Sequence, residues 1–162
     1  MKRLLLVFFF TLFLVNPVYA LYETNHENEY FKVTLPNLWE IQQDLNNSWL
    51  IFSYDSSYRI RIIQLPKDSQ SLDEYVDSYK QKSAQSNRIT LKEDHTFQLN
   101  NRRTRMLVYC FDFPRILNEY FIFYTVDSDK YRYNITAEGP YETLNSDRET
   151  IDAIVNSLEI LK

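Results

Sequence analysis

The chain alternates between two periods, and the switch points mark its elements. Phe31, Val33 and Leu35 alternate with Lys32 and Thr34, a period of two that predicts a strand ending at Pro36. Trp39 and Ile41 predict a second short extended piece. Ser48–Tyr54 predicts a strand with apolar residues on both faces. Tyr58–Leu65 predicts another, with Tyr58, Ile60 and Ile62 opposite Arg59 and Arg61, and Asp55-Ser56-Ser57 as the turn between them.

The period then changes to that of a helix. Leu72, Tyr75, Val76 and Tyr79 share one helical face behind Ser71 and Glu74, which have capping-box spacing, and polar Gln85–Asn87 ends the run. Extended segments resume at Ile89–Leu99, Arg105–Phe113, Glu119–Val126 and Tyr131–Ala137. In the last, Tyr131, Tyr133, Ile135 and Ala137 alternate with Arg132, Asn134 and Thr136, which predicts one buried face and one that is wet or polar. Asp127–Asp129 reads as a turn, and Gly139-Pro140 as a sheet breaker. A second capping box, Ser146 with Glu149, precedes the helical stripe Ile151, Ile154, Val155, Leu158. Strands, helix, strands, helix is the order of an α+β domain with a mainly antiparallel sheet flanked by helices.

Residues 1–20 carry a different pattern. Lys2 and Arg3 precede an apolar run, Leu4–Val15, then Pro17 and Val18-Tyr19-Ala20. This is the layout of a secretory signal peptide cleaved after Ala20, and it predicts a secreted or periplasmic protein. An uncleaved anchor is the alternative, although the run is shorter than the roughly 20 residues that span a bilayer. Cleavage would leave no stable membrane anchor. The organisation read from the chain is a signal peptide at 1–20, a flexible N-terminus at 21–29 and a single α+β domain at 30–162.

Composition narrows the chemistry. Without Lys2 and Arg3, 16 of the 18 basic residues remain against 22 acids, a net charge of −6, which speaks against nucleic acid as a partner. One glycine, Gly139, excludes the glycine-rich loops that cradle phosphates and the nucleophile elbow. The single Cys110 excludes an internal disulfide. Tyr and Phe, 13 and 11 residues, favour pleated, half-buried surfaces.

The segment YFKVTLPNLWE, Tyr30–Glu40, resembles the opening strand and Leu-Pro-x-x-Trp turn of the PsbP-like family, which includes photosystem II PsbP, DcrB-like bacterial envelope proteins and a Ran-binding nuclear factor. The resemblance runs to about Leu161. Leu38 stands where members often carry glycine, and Leu21 where many exported members carry a lipoprotein cysteine. The resemblance implies an α-β-α sandwich acting as a binding or assembly module, with no shared catalytic residues and no cofactor.

Arg102, Arg103 and Arg105, joined by Arg59 or Arg61, form the candidate site for an acidic partner or anion; a turn of solvated charges is the bland alternative. His95 with Asp94 and Glu93 is a candidate metal set, or a polar turn. Cys110 and His26 could pair as nucleophile and base, but Met106–Phe111 has the profile of an inert core segment. Asp127-x-Asp129 lacks the glycine and distal glutamate of a calcium loop, and Glu138 with Glu142 reads as a solvated loop. The leading expectation is an exported non-catalytic module that binds another envelope or secreted protein. A small-molecule or metal-ion binder is the second reading and a hydrolase the third.

Overall fold

The computed structural model describes residues 24–44, 47–54, 58–112 and 118–162. The signal-like segment and its cleavage point, Asp55–Ser57 and Phe113 lie outside these residues.

Ten strands and two helices follow one another in the order β1 (Thr24–Glu27), β2 (Phe31–Leu35), β3 (Trp39–Asp44), β4 (Ser48–Ser53), β5 (Arg59–Pro66), α1 (Leu72–Ser83), β6 (Ile89–Leu99), β7 (Arg102–Phe111), β8 (Glu119–Asp127), β9 (Tyr131–Pro140), α2 (Leu144–Asn156) and β10 (Glu159–Ile160). Seven strands form the main sheet in the order β3-β4-β5-β9-β8-β7-β6, and every neighbouring pair is antiparallel. A small sheet, β1-β2-β10, lies with α2 on one face; α1 covers part of the other, against β7 and β8. The architecture is of the α+β, mainly antiparallel class that the alternation of periods predicts, in the sandwich arrangement that the family resemblance implies.

The main core lies between the large sheet and the layer of α2 and β2. Phe31, Val33 and Leu35 of β2, Ile151, Ile154 and Val155 of α2, and Ile51, Ile60, Ile62, Ile122 and Ile135 of the sheet are all buried there. The predicted α2 stripe is therefore the buried one, with Leu158 just past the helix end. Each such side chain contributes roughly 1.5–3 kcal/mol on leaving water. A smaller cluster under α1 joins Val76 to Leu107, Tyr109 and Phe123, with Tyr79 stacked on Phe123 at 4.6 Å. The capping box at the start of α1 forms as predicted: Glu74 N donates to Ser71 Oγ, and Ser71 N donates to Glu74.

Several sequence expectations are corrected. Thr24–Glu27 lies within the stretch read as flexible, but it pairs with β2, Thr24 opposite Leu35. β10 is too short to carry a period. α2 starts at Leu144, so Ser146 lies inside its first turn and donates to Thr143 O instead of capping. Its first turn is tied by Asp147, buried at 1 % exposure, which accepts from Tyr120 and Thr143.

Gly139-Pro140 does not break the sheet. Gly139 is a strand residue opposite Tyr120, and a Cβ there would meet the Tyr120 ring at 2.9 Å and its hydroxyl at 2.8 Å. The bare backbone is the space into which the ring packs. Nor is the Arg132–Asn134 face of β9 wet, because α1 covers it. Arg132, 2 % exposed, donates to both oxygens of Asp127 at 2.8 and 3.1 Å and to Gln70 O at 2.9 Å, and lies 4.2 Å from the Tyr75 ring centre. An alternating strand reads as half-wet only until a second layer lands on it.

Candidate binding surfaces

The five candidate arginines come from strands, not loops. A two-residue turn, Asn100-Asn101, joins β6 to β7 with φ of 47° and 65°. Two left-handed residues in succession are what a tight twisted hairpin requires, and asparagine tolerates them. β7 therefore begins at Arg102, and strand alternation divides the cluster. Arg103 and Arg105 face α1; Arg102 faces the other side. Arg103 forks onto Asp73 at 2.7 and 3.0 Å, and Arg105 bridges Asp73 at 2.6 Å to Asp94 at 2.5 Å. Lys80 reaches Asp94 at 2.6 Å.

The result is a clamp, Arg103–Asp73–Arg105–Asp94–Lys80, that fastens α1 to β6 and β7. Arg103 and Arg105 hold the Asp73 carboxyl below its ordinary range. Burial pushes Asp94 up, but hydrogen bonds from Lys80 and Arg105 outweigh it, and the carboxyl is lowered. Two of the five arginines, buried Arg105 and half-exposed Arg103, are thus paired within the clamp.

Arg59 and Arg61 are separated from β7 by β9 and β8, so the structure does not bring them to Arg103 or Arg105. They project from β5 on the α1 side, as the register shows: Arg61 lies opposite Thr136, Thr136 opposite Phe123, and Phe123 under Tyr79. There α1 leaves the sheet open. A depression of about 440 Å³ is lined by Leu50, Ile63, Phe121, Glu138 and the two arginines. Arg61 touches Asp44 at 3.9 Å, with both side chains near half exposed. Among the described residues no carboxylate pairs with Arg59, although Glu138 is its cross-strand neighbour.

The proposed metal set is divided in the same way. Glu93 and His95 lie two apart on one face, 3.2 Å from each other, and Glu93 also meets Arg148 of α2. Asp94 points to the opposite face, into the clamp. Three consecutive strand residues cannot converge on one ion, and among the described residues no group of three ligating side chains does so. Cys110 is in β7 of the large sheet and His26 in β1 of the small one, so the sequence pairing of nucleophile and base has no structural counterpart. Asp127, read as the start of a calcium-like loop, is committed to Arg132 and to Lys67 at 3.5 Å.

A second concavity was not foreseen. A groove of about 500 Å³ runs between the β2–β3 turn and the exposed side of α2, lined by Leu35, Pro36, Trp39, Tyr58, Glu149 and Ala153 among others. Trp39 and Tyr58 stack face to face at 5.7 Å. The turn that opens it holds Leu38 at φ 67°, a region that leucine rarely adopts, with 66 % of the residue exposed. The signal was present in the chain: the resemblance places a glycine at this position, which is the residue a left-handed turn wants.

A helix on one face of an antiparallel sheet, with a helix and a small sheet on the other, defines a compact α-β-α sandwich. The fold is PsbP-like. Cyanobacterial PsbP (CyanoP) of Synechocystis sp. PCC 6803 superposes with a TM-score of 0.69 over 89 % of this chain and 95 % of its own, at 9 % identity. LpqN, a protein involved in cell envelope biogenesis of Mycobacterium tuberculosis, gives 0.63 over 85 % and 90 %, at 10 % identity. PA94 of Pseudomonas aeruginosa gives 0.51 over 80 % and 91 %, at 8 % identity. At these identities the likeness is one of fold. No family profile matches the chain, and no curated protein matches it by sequence.

Proposed function

We propose that this chain is an exported, non-catalytic binding module that recognises an acidic surface of another envelope or secreted protein through Arg59 and Arg61. The observation that carries the reading is the contrast between the arginines. Arg103 and Arg105 are held tightly by Asp73 and Asp94, whereas Arg61 has only a long contact to Asp44 at 3.9 Å and no carboxylate among the described residues pairs with Arg59, and both stand on an open sheet face beside apolar Leu50, Ile63 and Phe121. Cations flanking an apolar patch are the anatomy of a recognition surface, in which the charges steer and the apolar floor supplies contact area.

Two further facts support export. The first twenty residues have the layout of a leader, and the similar structures include a protein involved in envelope biogenesis. Among the described residues no helix is long and apolar enough to cross a membrane.

The test is capture from the envelope and medium fractions of the source cells by the immobilised exported protein. A retained protein should be lost with Arg59→Glu plus Arg61→Glu and at high salt, but kept with Lys92→Glu on the far edge of the sheet. Retention that ignores the arginine reversal would refute the assignment, as would repeated failure to retain any protein. Mass spectrometry of the secreted chain tests the leader separately, with cleavage after Ala20 as the expected result.

A further inference from the structure

The two edges of the large sheet are built differently. β6 is guarded. Its register slips between Leu91 and Glu93, exposed Lys92 lies at the slip, and Asp94 is tied to Arg105 and Lys80. Bulges and lysines are the devices by which proteins keep an edge from pairing with another chain. β3 has neither. It runs in unbroken register with β4 from Trp39 opposite Ser53 to Asp44 opposite Ser48, with no proline and no lysine. Glu40, Gln42, Gln43 and Asp44 are exposed, and among the described residues no strand lies on its outer side. Along Glu40–Gln43 such an edge presents backbone donors and acceptors to an incoming chain.

The unguarded edge leads directly into the groove. Trp39, the first residue of β3, forms a wall of the groove through its stack with Tyr58, over Leu35 and Ile154. Leu38, strained and exposed, fixes the turn at this corner. Backbone strain that persists at an exposed corner beside a cavity marks a surface shaped for contact. The strand and the groove carry acids, Glu40 and Asp44 on the strand and Glu149 on the groove, and the strand contains no cation. Arg61 offsets Asp44 in part. A second copy of this edge would bring the acids of two β3 strands together, which disfavours self-pairing.

We propose that β3 accepts an extended, basic segment of a partner protein as an added strand. Backbone hydrogen bonds to β3 supply the affinity. Lysine or arginine on the segment faces Glu40, and an apolar side chain at its end seats against Trp39 and Tyr58 in the groove. This is strand addition at an open edge with a pocket for specificity. This edge abuts the two-arginine depression, to which the Arg61–Asp44 contact joins it, but it carries charge of the opposite sign, and neither proposal depends on the other.

The experiment uses the purified exported protein, ¹⁵N-labelled, and short acetylated peptides that alternate lysine with valine and end in phenylalanine, in several registers. At least one register should shift the amides of Trp39–Asp44, slow their exchange, and perturb Trp39 fluorescence. Glu40→Lys with Gln42→Lys, both on exposed positions, should weaken that peptide about tenfold or more, the factor that 1.4 kcal/mol represents. Lys92→Glu, on the opposite edge of the sheet, should leave it unchanged. A peptide of the same charge interrupted by prolines should not bind. Equal binding by the proline peptide would reduce the effect to charge and overturn the proposal. Shifts confined to other strands, or no binding in any register, would also overturn it. Self-association of the free protein that Gln42→Lys abolishes would assign the edge to a second copy instead.

Discussion

Removing the Asp127 carboxylate should damage this fold more than removing the arginine it holds. Arg132 is 2 % exposed, and its guanidinium is satisfied by two Asp127 oxygens, by Gln70 O and, more distantly, by Asp68 at 3.4 Å. Asp127→Ala takes away the bidentate partner and leaves a positive charge buried under α1 with only the long contact to the exposed Asp68 carboxylate at 3.4 Å. Breaking a buried pair in this way costs about 3 kcal/mol or more. Arg132→Met leaves the opposite remainder. The Asp127 side chain is 15 % exposed and keeps Lys67 at 3.5 Å, so the orphan is wetter and still partnered. The methionine fills the arginine's space beside Tyr75, and the expected loss is about 1–2 kcal/mol. The double variant should be more stable than Asp127→Ala alone, because no unpaired charge remains. Urea unfolding of the four proteins measures this, and the Asp127→Ala melting temperature should fall by roughly 10 °C. A loss under about 1 kcal/mol for Asp127→Ala, or strict additivity in the double variant, would refute the buried-charge reasoning.

Three further outcomes follow from the same structure. Gly139→Ala forces the buried Tyr120 ring from its place at 2.9 Å and should destabilise by about 1–3 kcal/mol, less when combined with Tyr120→Leu, as a denaturation cycle will show. At Leu38 the usual order of small residues should invert, with Leu38→Gly more stable than Leu38→Ala by about 1 kcal/mol, because only glycine is at ease at φ 67°. The α1 clamp should weaken in acid. Asp73 and Asp94 have lowered folded-state values, so their contribution is complete above the ordinary carboxylate range and disappears as pH falls through those lowered values. The gap in urea midpoint between wild type and Arg105→Leu should therefore be constant near neutrality and close below about pH 4.

Much of the fold was legible because periodicity survives without tertiary context. The α1 capping box, the α2 stripe, β6 to the residue and the alternating faces of β2 and β5 are local patterns, and each formed as read. The misreadings have a common cause. Arg132 and Asn134 looked wet because a polar alternation does not reveal that a helix will cover it. Gly139-Pro140 looked like a break because the reason for glycine, the Tyr120 ring, comes from another strand. The candidate site was half legible. Arg59 and Arg61 were named, but two of their three companions, Arg103 and Arg105, belong to a clamp whose acids lie more than ten residues away, on other elements.

By itself the sequence determined the class of fold and the placement of most elements. It did so because hydrophobic period, capping and turn chemistry act over a few residues. Only the tertiary structure decided which arginines are spent and which are open, that Asp94 turns away from Glu93 and His95, and that β3 is an unguarded edge leading into an aromatic groove. Those outcomes depend on strand order and layer packing, where residues far apart in the chain meet, and no local pattern encodes them.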